Sequence, residues 1–145
     1  MLLGIPNILP PDLLKVMFEM GHGDELVLAD ANFPAASHAQ RIVRCDGHGI
    51  VELLEAIVKV LPLDDYVEKP ASVMAVVSGD PILPSIWESY EAILKKKTNL
   101  SASLESLERF SFYERSRSAY AIVATGERTQ YGNLILKKGV IREHE

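Results

Sequence analysis

Two ionisable side chains bracket one short apolar run. In the segment EMGHGDELVLADANFP, Glu19 to Pro34, His22 stands between two glycines and Asp30 closes the run. Histidine is the side chain that changes charge nearest neutral pH, and a carboxylate accepts hydrogen bonds from hydroxyls. Together they suit acid–base chemistry on a small polar ligand, or its binding. Other candidates fall in turns at strand ends: Asp46, His48, Asp64, Asp65, Asp80 and the Tyr131-Gly132-Asn133 turn. Arg109 and Tyr113 lie one helical turn apart on one face. In open α/β sheets ligands bind beyond the carboxyl ends of strands, where Asp30 and Asp80 fall and His22 does not.

Each candidate also has a purely structural reading. His22 could be a loop histidine between helix-stopping glycines. Asp30 could close an Asx turn through DAN. CDGHG, with Asp46 and His48, could simply open the next helix, and YGN could be only a hairpin turn. Tyr113 and Arg109 could be a packed aromatic and a solvated charge. Spacing removes several alternatives. No two of the four histidines stand as H-x-H or H-E-x-x-H, so the pattern points to no metal. P-loop, dinucleotide-loop and G-x-S-x-G patterns are absent. Cys45 is followed by Asp46, whose carboxylate disfavours a thiolate.

The elements that must position these residues read as follows. PPDLLKVMFEMGHG is an amphipathic helix with Pro11 in its first turn and Gly21 as its stop. ELVLAD and ASVMAVVSGD read as buried strands, and RIVRCD as a second strand between them. GIVELLEAIVKVLP and LPSIWESYEAILKKK read as helices, the second with lysines at its negative end. SLESLERFSFYERSRSA reads as one further helix, AYAIVATG as a strand, and LILKKGVI as a closing strand. KKKTNLSAS, Lys95 to Ser103, reads as a surface connection. Alternating helices and short apolar strands predict an α/β fold with a largely parallel central sheet flanked by helices. The close spacing of the last two strands adds a C-terminal antiparallel strand pair. Residues 1–145 form one expected domain.

Hydrophobic residues make up 48% of the chain and charged residues 24%, with a formal net charge of −5. Basic residues form no stripe, which argues against nucleic acid or a membrane surface as partner. One cysteine allows no internal disulfide and fits a reducing compartment. The first residues, MLLGIPNILPPDLL, lack a basic leader and are broken by prolines. The expected location is the cytoplasm.

Five stretches carry a resemblance over nearly the whole chain: GIPNILPPDLLKVMFEMGHGDELVLADANFP, DG-x-GI-x-ELLEAI (with positions 48 and 51 outside the match), PLDDYVEKPASVMAVV, ERFSFYERSRSAYAIVATGE and YGNLILKKGV. The chain resembles the RbsD/FucU family of sugar mutarotases and pyranases. MGHGDE together with ADANFP is the most specific part, and FYERS points to the fucose branch. The resemblance implies interconversion of the α and β anomers of a free reducing sugar, L-fucose first, with no cofactor. It implies a proton-donor role for His22 and sugar binding by Asp30. It further implies catalytic roles for Tyr113 and Asp64, with Asp65 as the competing carboxylate, and substrate contacts for Met74, Arg109, Tyr131, Gly132 and Asn133. A non-catalytic monosaccharide-binding or regulatory protein with the same pocket, or a ribose-type pyranase, are the alternatives.

Geometry adds one expectation. Eight extended steps from His22 to Asp30 span up to roughly 26 Å, too far for one monosaccharide. His22 should then serve a pocket whose Asp30 belongs to a neighbouring copy. The resemblance implies an assembly that supplies such neighbours, a decamer of two pentameric rings with shared active sites.

Overall fold

The computed structural model describes residues 1–98 and 104–145. Its centre is a six-stranded sheet in the order β2-β5-β1-β6-β3-β4. The strands are β1 (Glu25–Ala29), β2 (Ile42–Cys45), β3 (Ala71–Met74), β4 (Glu105–Leu107), β5 (Ala121–Thr125) and β6 (Leu134–Lys137). Neighbouring β2–β5, β5–β1 and β3–β4 run parallel. Among the described strands, β6 alone runs antiparallel, between β1 and β3. Leu28 faces Leu134 and Glu25 faces Lys137. The start of β6 therefore lies beside the end of β1, and its end beside the start of β1.

Successive strand side chains point to opposite faces, and the two cores follow from that. Leu26, Leu28, Val123, Leu134 and Leu136 face one side, covered by α1 (Pro11–Glu19), α3 (Ile50–Ile57) and α4 (Ile86–Lys97). Val27, Ala29, Ile122 and Ile135 face the other, under Ala35 of the short α2 (Ala35–His38) and Phe112 of α5 (Arg109–Ser118). Burial on both faces explains why β1 reads as an unpatterned apolar run, and β5 is buried in the same way.

The α/β class, the largely parallel sheet and an antiparallel partner for the closing strand hold. Two particulars differ. β6 does not form a hairpin with β5, because residues 126–133 carry the chain across β1 to its other edge. The stretch expected as one helix from Ser103, itself outside the described residues, contains instead the edge strand β4 ahead of α5. Glu108 then ends the strand by capping α5, its side chain accepting from the Phe110 and Ser111 amides. Of the expected surface connection, Lys95–Lys97 form the last turn of α4 and residues 99–103 lie outside the described residues. Among the described residues, no helix is long and apolar enough to cross a membrane.

Candidate active site

The candidate residues divide between the two ends of β1. At its carboxyl end, Asp30 follows the strand directly, and Asn133 sits opposite, just before β6. The Asp30 amide donates to Asn133 Oδ1 (2.7 Å), and Asn133 Nδ2 donates to Asp30 Oδ2 (3.0 Å). Asp30 Oδ1 accepts from the Asn32 amide (2.9 Å), so the Asx turn read from DAN is present as well. Burial pushes the Asp30 carboxyl above its usual range, and the Asn32, Phe33 and Asn133 donors pull partly back.

A cavity of about 250 Å³ opens over this carboxylate. Met74 at the end of β3, Arg109 and Tyr113 on α5, and Tyr131 in the crossing loop line it with Asp30 and Asn133. Arg109 opens the first turn of α5 and Tyr113 follows one turn later, so both reach the same space; the guanidinium lies 5.8 Å from the Tyr113 ring centre. Tyr113 packs on Phe33 (5.5 Å between ring centres) and on His38 (5.5 Å). Phe33, Asn32, Val77 and Gln130 complete the lining and were not singled out from sequence, although ADANFP contains the first two.

Gly132 has no side chain to offer. An added Cβ would stand 2.9 Å from the Thr129 carbonyl oxygen, so the turn admits only glycine without a shift. Its carbonyl accepts from the buried Tyr90 hydroxyl (2.6 Å), and burial holds that phenol protonated well above neutral pH. Tyr131 has φ of 59°, a left-handed conformation that bulky residues rarely adopt. The loop is also tied down by Glu127, which accepts from the Ile50 and Thr129 amides and the Thr129 hydroxyl. Burial pushes the Glu127 carboxyl up, but these donors outweigh it and leave the group below the usual carboxylate range.

At the amino end of β1 the second group assembles. Gly23, with φ of 87°, turns the chain out of α1 and into the strand. This places His22 Nε2 3.0 Å from Asp64 Oδ1. Asp64 is 3% exposed, and its backbone amide donates to the Lys137 carbonyl at the end of β6 (3.0 Å). The Tyr66 amide donates to the same Oδ1 (3.1 Å), and the Tyr66 ring lies 5.2 Å from the imidazole. An acceptor on Nε2 leaves Nδ1 of the half-exposed ring open to solvent or a ligand. Asp65 does not join this pair. It binds Arg142 (2.7 Å), which holds its carboxyl below the usual range.

The remaining polar candidates are structural partners: Asp46 with Arg44 (2.6 Å), and His48 with Glu52 at the start of α3 (3.1 Å). Asp80 accepts from the Tyr131 hydroxyl (2.8 Å). Among the described residues, no group of three or more His, Cys, Asp or Glu side chains is arranged to hold a metal ion. A larger cavity of about 560 Å³ is lined by Leu2, Leu14, Phe18 and Ile141 and is mainly apolar; its one charged lining residue, Lys138, donates to the Met17 and Met20 carbonyls. The smaller polar cavity is the better match to a hydroxylated ligand.

A model of the RbsD / FucU transport protein family matches residues 3–141. An L-fucose mutarotase of Actinobacillus pleuropneumoniae serotype 5b is 51% identical over 140 residues, 97% of each chain. The human fucose mutarotase is 52% identical over 144 residues, covering 95% of this chain and 93% of that one. A crystal structure of the fucose mutarotase from Streptococcus pneumoniae in complex with L-fucose superposes with a TM-score of 0.92. It is 52% identical and spans 97% of this chain and all of the other.

Proposed function

This chain belongs to the RbsD / FucU transport protein family, and on that premise we propose that it is a mutarotase interconverting the α and β anomers of L-fucose. One observation carries the reading: a carboxylate, an amide and a guanidinium meet aromatic faces in one cavity of about 250 Å³. That is below the roughly 300–1,000 Å³ of drug-sized ligand sites, the scale of a single sugar ring. Asp30 and Asn133 suit the hydroxyls. Tyr113, Tyr131 and Met74 suit the apolar side and the methyl group of a deoxy sugar.

The chemistry asks little more. A base takes the proton of the anomeric hydroxyl while an acid protonates the ring oxygen, and the C1–O5 bond breaks to give the open-chain aldehyde. Rotation about C1–C2 and the reverse transfers close the ring on the other face. No carbanion forms, so no electron sink is called for. In this reading His22 carries the proton at Nδ1, Asp64 orients its ring, and Tyr113 serves the second transfer from within the sugar cavity. Arg109 supports the negative charge that develops on oxygen.

His22 serves the cavity of a neighbouring copy in this proposal. Support comes from its place at the opposite end of β1 from Asp30, and from the exposed apolar Leu2, Leu3, Phe18 and Ile141. Such a surface is one that a second copy could cover. A decamer of two pentameric rings in the cytoplasm is the assembly and location we assign. Saturation-transfer NMR on equilibrated L-fucose, without added metal, tests the activity. Exchange faster than in buffer is expected. A chemical-shift response to the sugar with exchange at the buffer rate would reduce the protein to a monosaccharide binder.

A further inference from the structure

We infer that Asp80 is a positioning residue for the sugar cavity, acting through Tyr131; this rests on reading that cavity as the fucose site. Asp80 lies in the loop of residues 75–85 that leaves β3. Its Oδ2 accepts the Tyr131 hydroxyl proton (2.8 Å), and its Oδ1 accepts from the Ile82 amide (3.1 Å). The carboxylate thus braces its own loop with one oxygen and the cavity wall with the other. Val77, from the same loop, lines the cavity, and its amide donates to the Tyr131 oxygen (3.3 Å).

Tyr131 needs such bracing. A tyrosine at φ of 59° is conformationally costly and persists only where its surroundings over-determine it. Trp87 Nε1 donates to the Tyr131 carbonyl (2.8 Å) and fixes the backbone. Asp80 fixes the far end of the same side chain. There is a chemical consequence as well. A phenol carries one proton and accepts through two lone pairs. Here the proton goes to Asp80 and one lone pair faces the Val77 amide. Tyr131 is left to meet a sugar with its ring face or as an acceptor, so a hydroxyl bound there must donate. Asp80 therefore sets the hydrogen-bond polarity of one wall of the site.

The test joins kinetics to a probe that does not need turnover. Asp80→Ala should raise KM for L-fucose about five- to tenfold, the loss of one hydrogen bond, with kcat within about twofold. A merely structural defect would lower the active fraction and so kcat. Asp80→Asn keeps an oxygen that can accept the phenol proton, and should bring KM back to within about threefold of wild type. Tyr131→Phe should match Asp80→Ala, and the double variant should be no worse than either alone. Trp87 is the only tryptophan, so its indole N–H resonance reports on the turn without sugar. Asp80→Ala and Tyr131→Phe should shift it alike. If no sugar exchanges in wild type, the proposed function fails while the indole comparison still judges the brace. An unmoved indole resonance in Asp80→Ala, a wild-type KM in that variant, or additive effects in the double variant would overturn the inference.

Discussion

His22 and Asp30 stand at opposite ends of the same strand: His22 pairs with Asp64 before β1 begins, and Asp30 pairs with Asn133 after it ends. The strand between them is extended and buried, so no side-chain rotation brings the two groups together within one chain. Copies carrying His22→Ala or Asp30→Ala should each lose activity, the first by exchange rate and the second by sugar affinity. Unfolded together and refolded, they should regain about a quarter of wild-type exchange, the share of head-to-tail interfaces that join both intact groups. Confirmed coassembly without recovered exchange would show that one chain supplies the whole site.

Asp64 and Asp65 adjoin in sequence but face different partners, Asp64 the imidazole and Asp65 the guanidinium of Arg142. Asp64→Asn should lower kcat about 100-fold with little change in KM, the scale of a lost acid–base arrangement. Asp65→Asn breaks only an exposed ion pair and should stay within about twofold in kcat. Equal losses in both variants would remove the orienting role of Asp64.

Burial raises the Asp30 carboxyl, and in the proposed site its ionised form is the one that would accept sugar hydroxyls. The sign follows directly. Lowering pH protonates Asp30 earlier than an ordinary aspartate, whose reference value is about 3.9. Sugar affinity should therefore begin to fall at a higher pH than that value suggests, and be fully present once Asp30 is ionised. Calorimetric titration of L-fucose across pH 4 to 8 checks this. An acid limb that persists unchanged in Asp30→Asn would belong to another group.

Asn133 is 5% exposed and bonds Asp30 twice, once through its amide nitrogen and once through its oxygen. Asn133→Ala leaves the Asp30 backbone amide without that acceptor. It should cost about 1–3 kcal/mol of stability, read by urea unfolding, together with a loss of sugar affinity. Asn133→Asp keeps the acceptor but places two carboxylates together, and should bind more weakly as pH rises.

The long amphipathic segments were legible because their burial follows from local pattern. Pro11 starts α1, and the run Leu26 to Ala29 can only be a strand covered on both faces. β4 was not legible. Glu105, Ser106 and Leu107 form a three-residue edge strand, too short for a period, whose pairing with β3 comes from residues far away in sequence. The place of β6 was hidden for a similar reason. A turn such as Tyr131-Gly132-Asn133 announces a reversal but not which strand lies beyond it. At the carboxyl end of β1, Asp30 carried a signal within ADANFP, whereas Asn32 and Phe33 of the same motif line the cavity without one of their own. The supports carried none: Trp87, Tyr90 and Glu127 read as ordinary helix and loop residues until the backbone groups they hold are seen.

The antiparallel insertion of β6 has a consequence for the order of assembly. β2, β5 and β1 form one parallel sub-sheet, β3 and β4 another, and β6 is the strand that bridges them. Its first residues adjoin Asn133, and its last hold Asp64 through the Lys137 carbonyl. Both ends of β1 are thus organised by one strand whose partners are distant in sequence, the kind of pairing that forms slowly because loop closure precedes its reward. Until Leu134–Lys137 pair, no strand joins the two sub-sheets, and neither Asn133 beside Asp30 nor the Lys137 carbonyl beside Asp64 is in place.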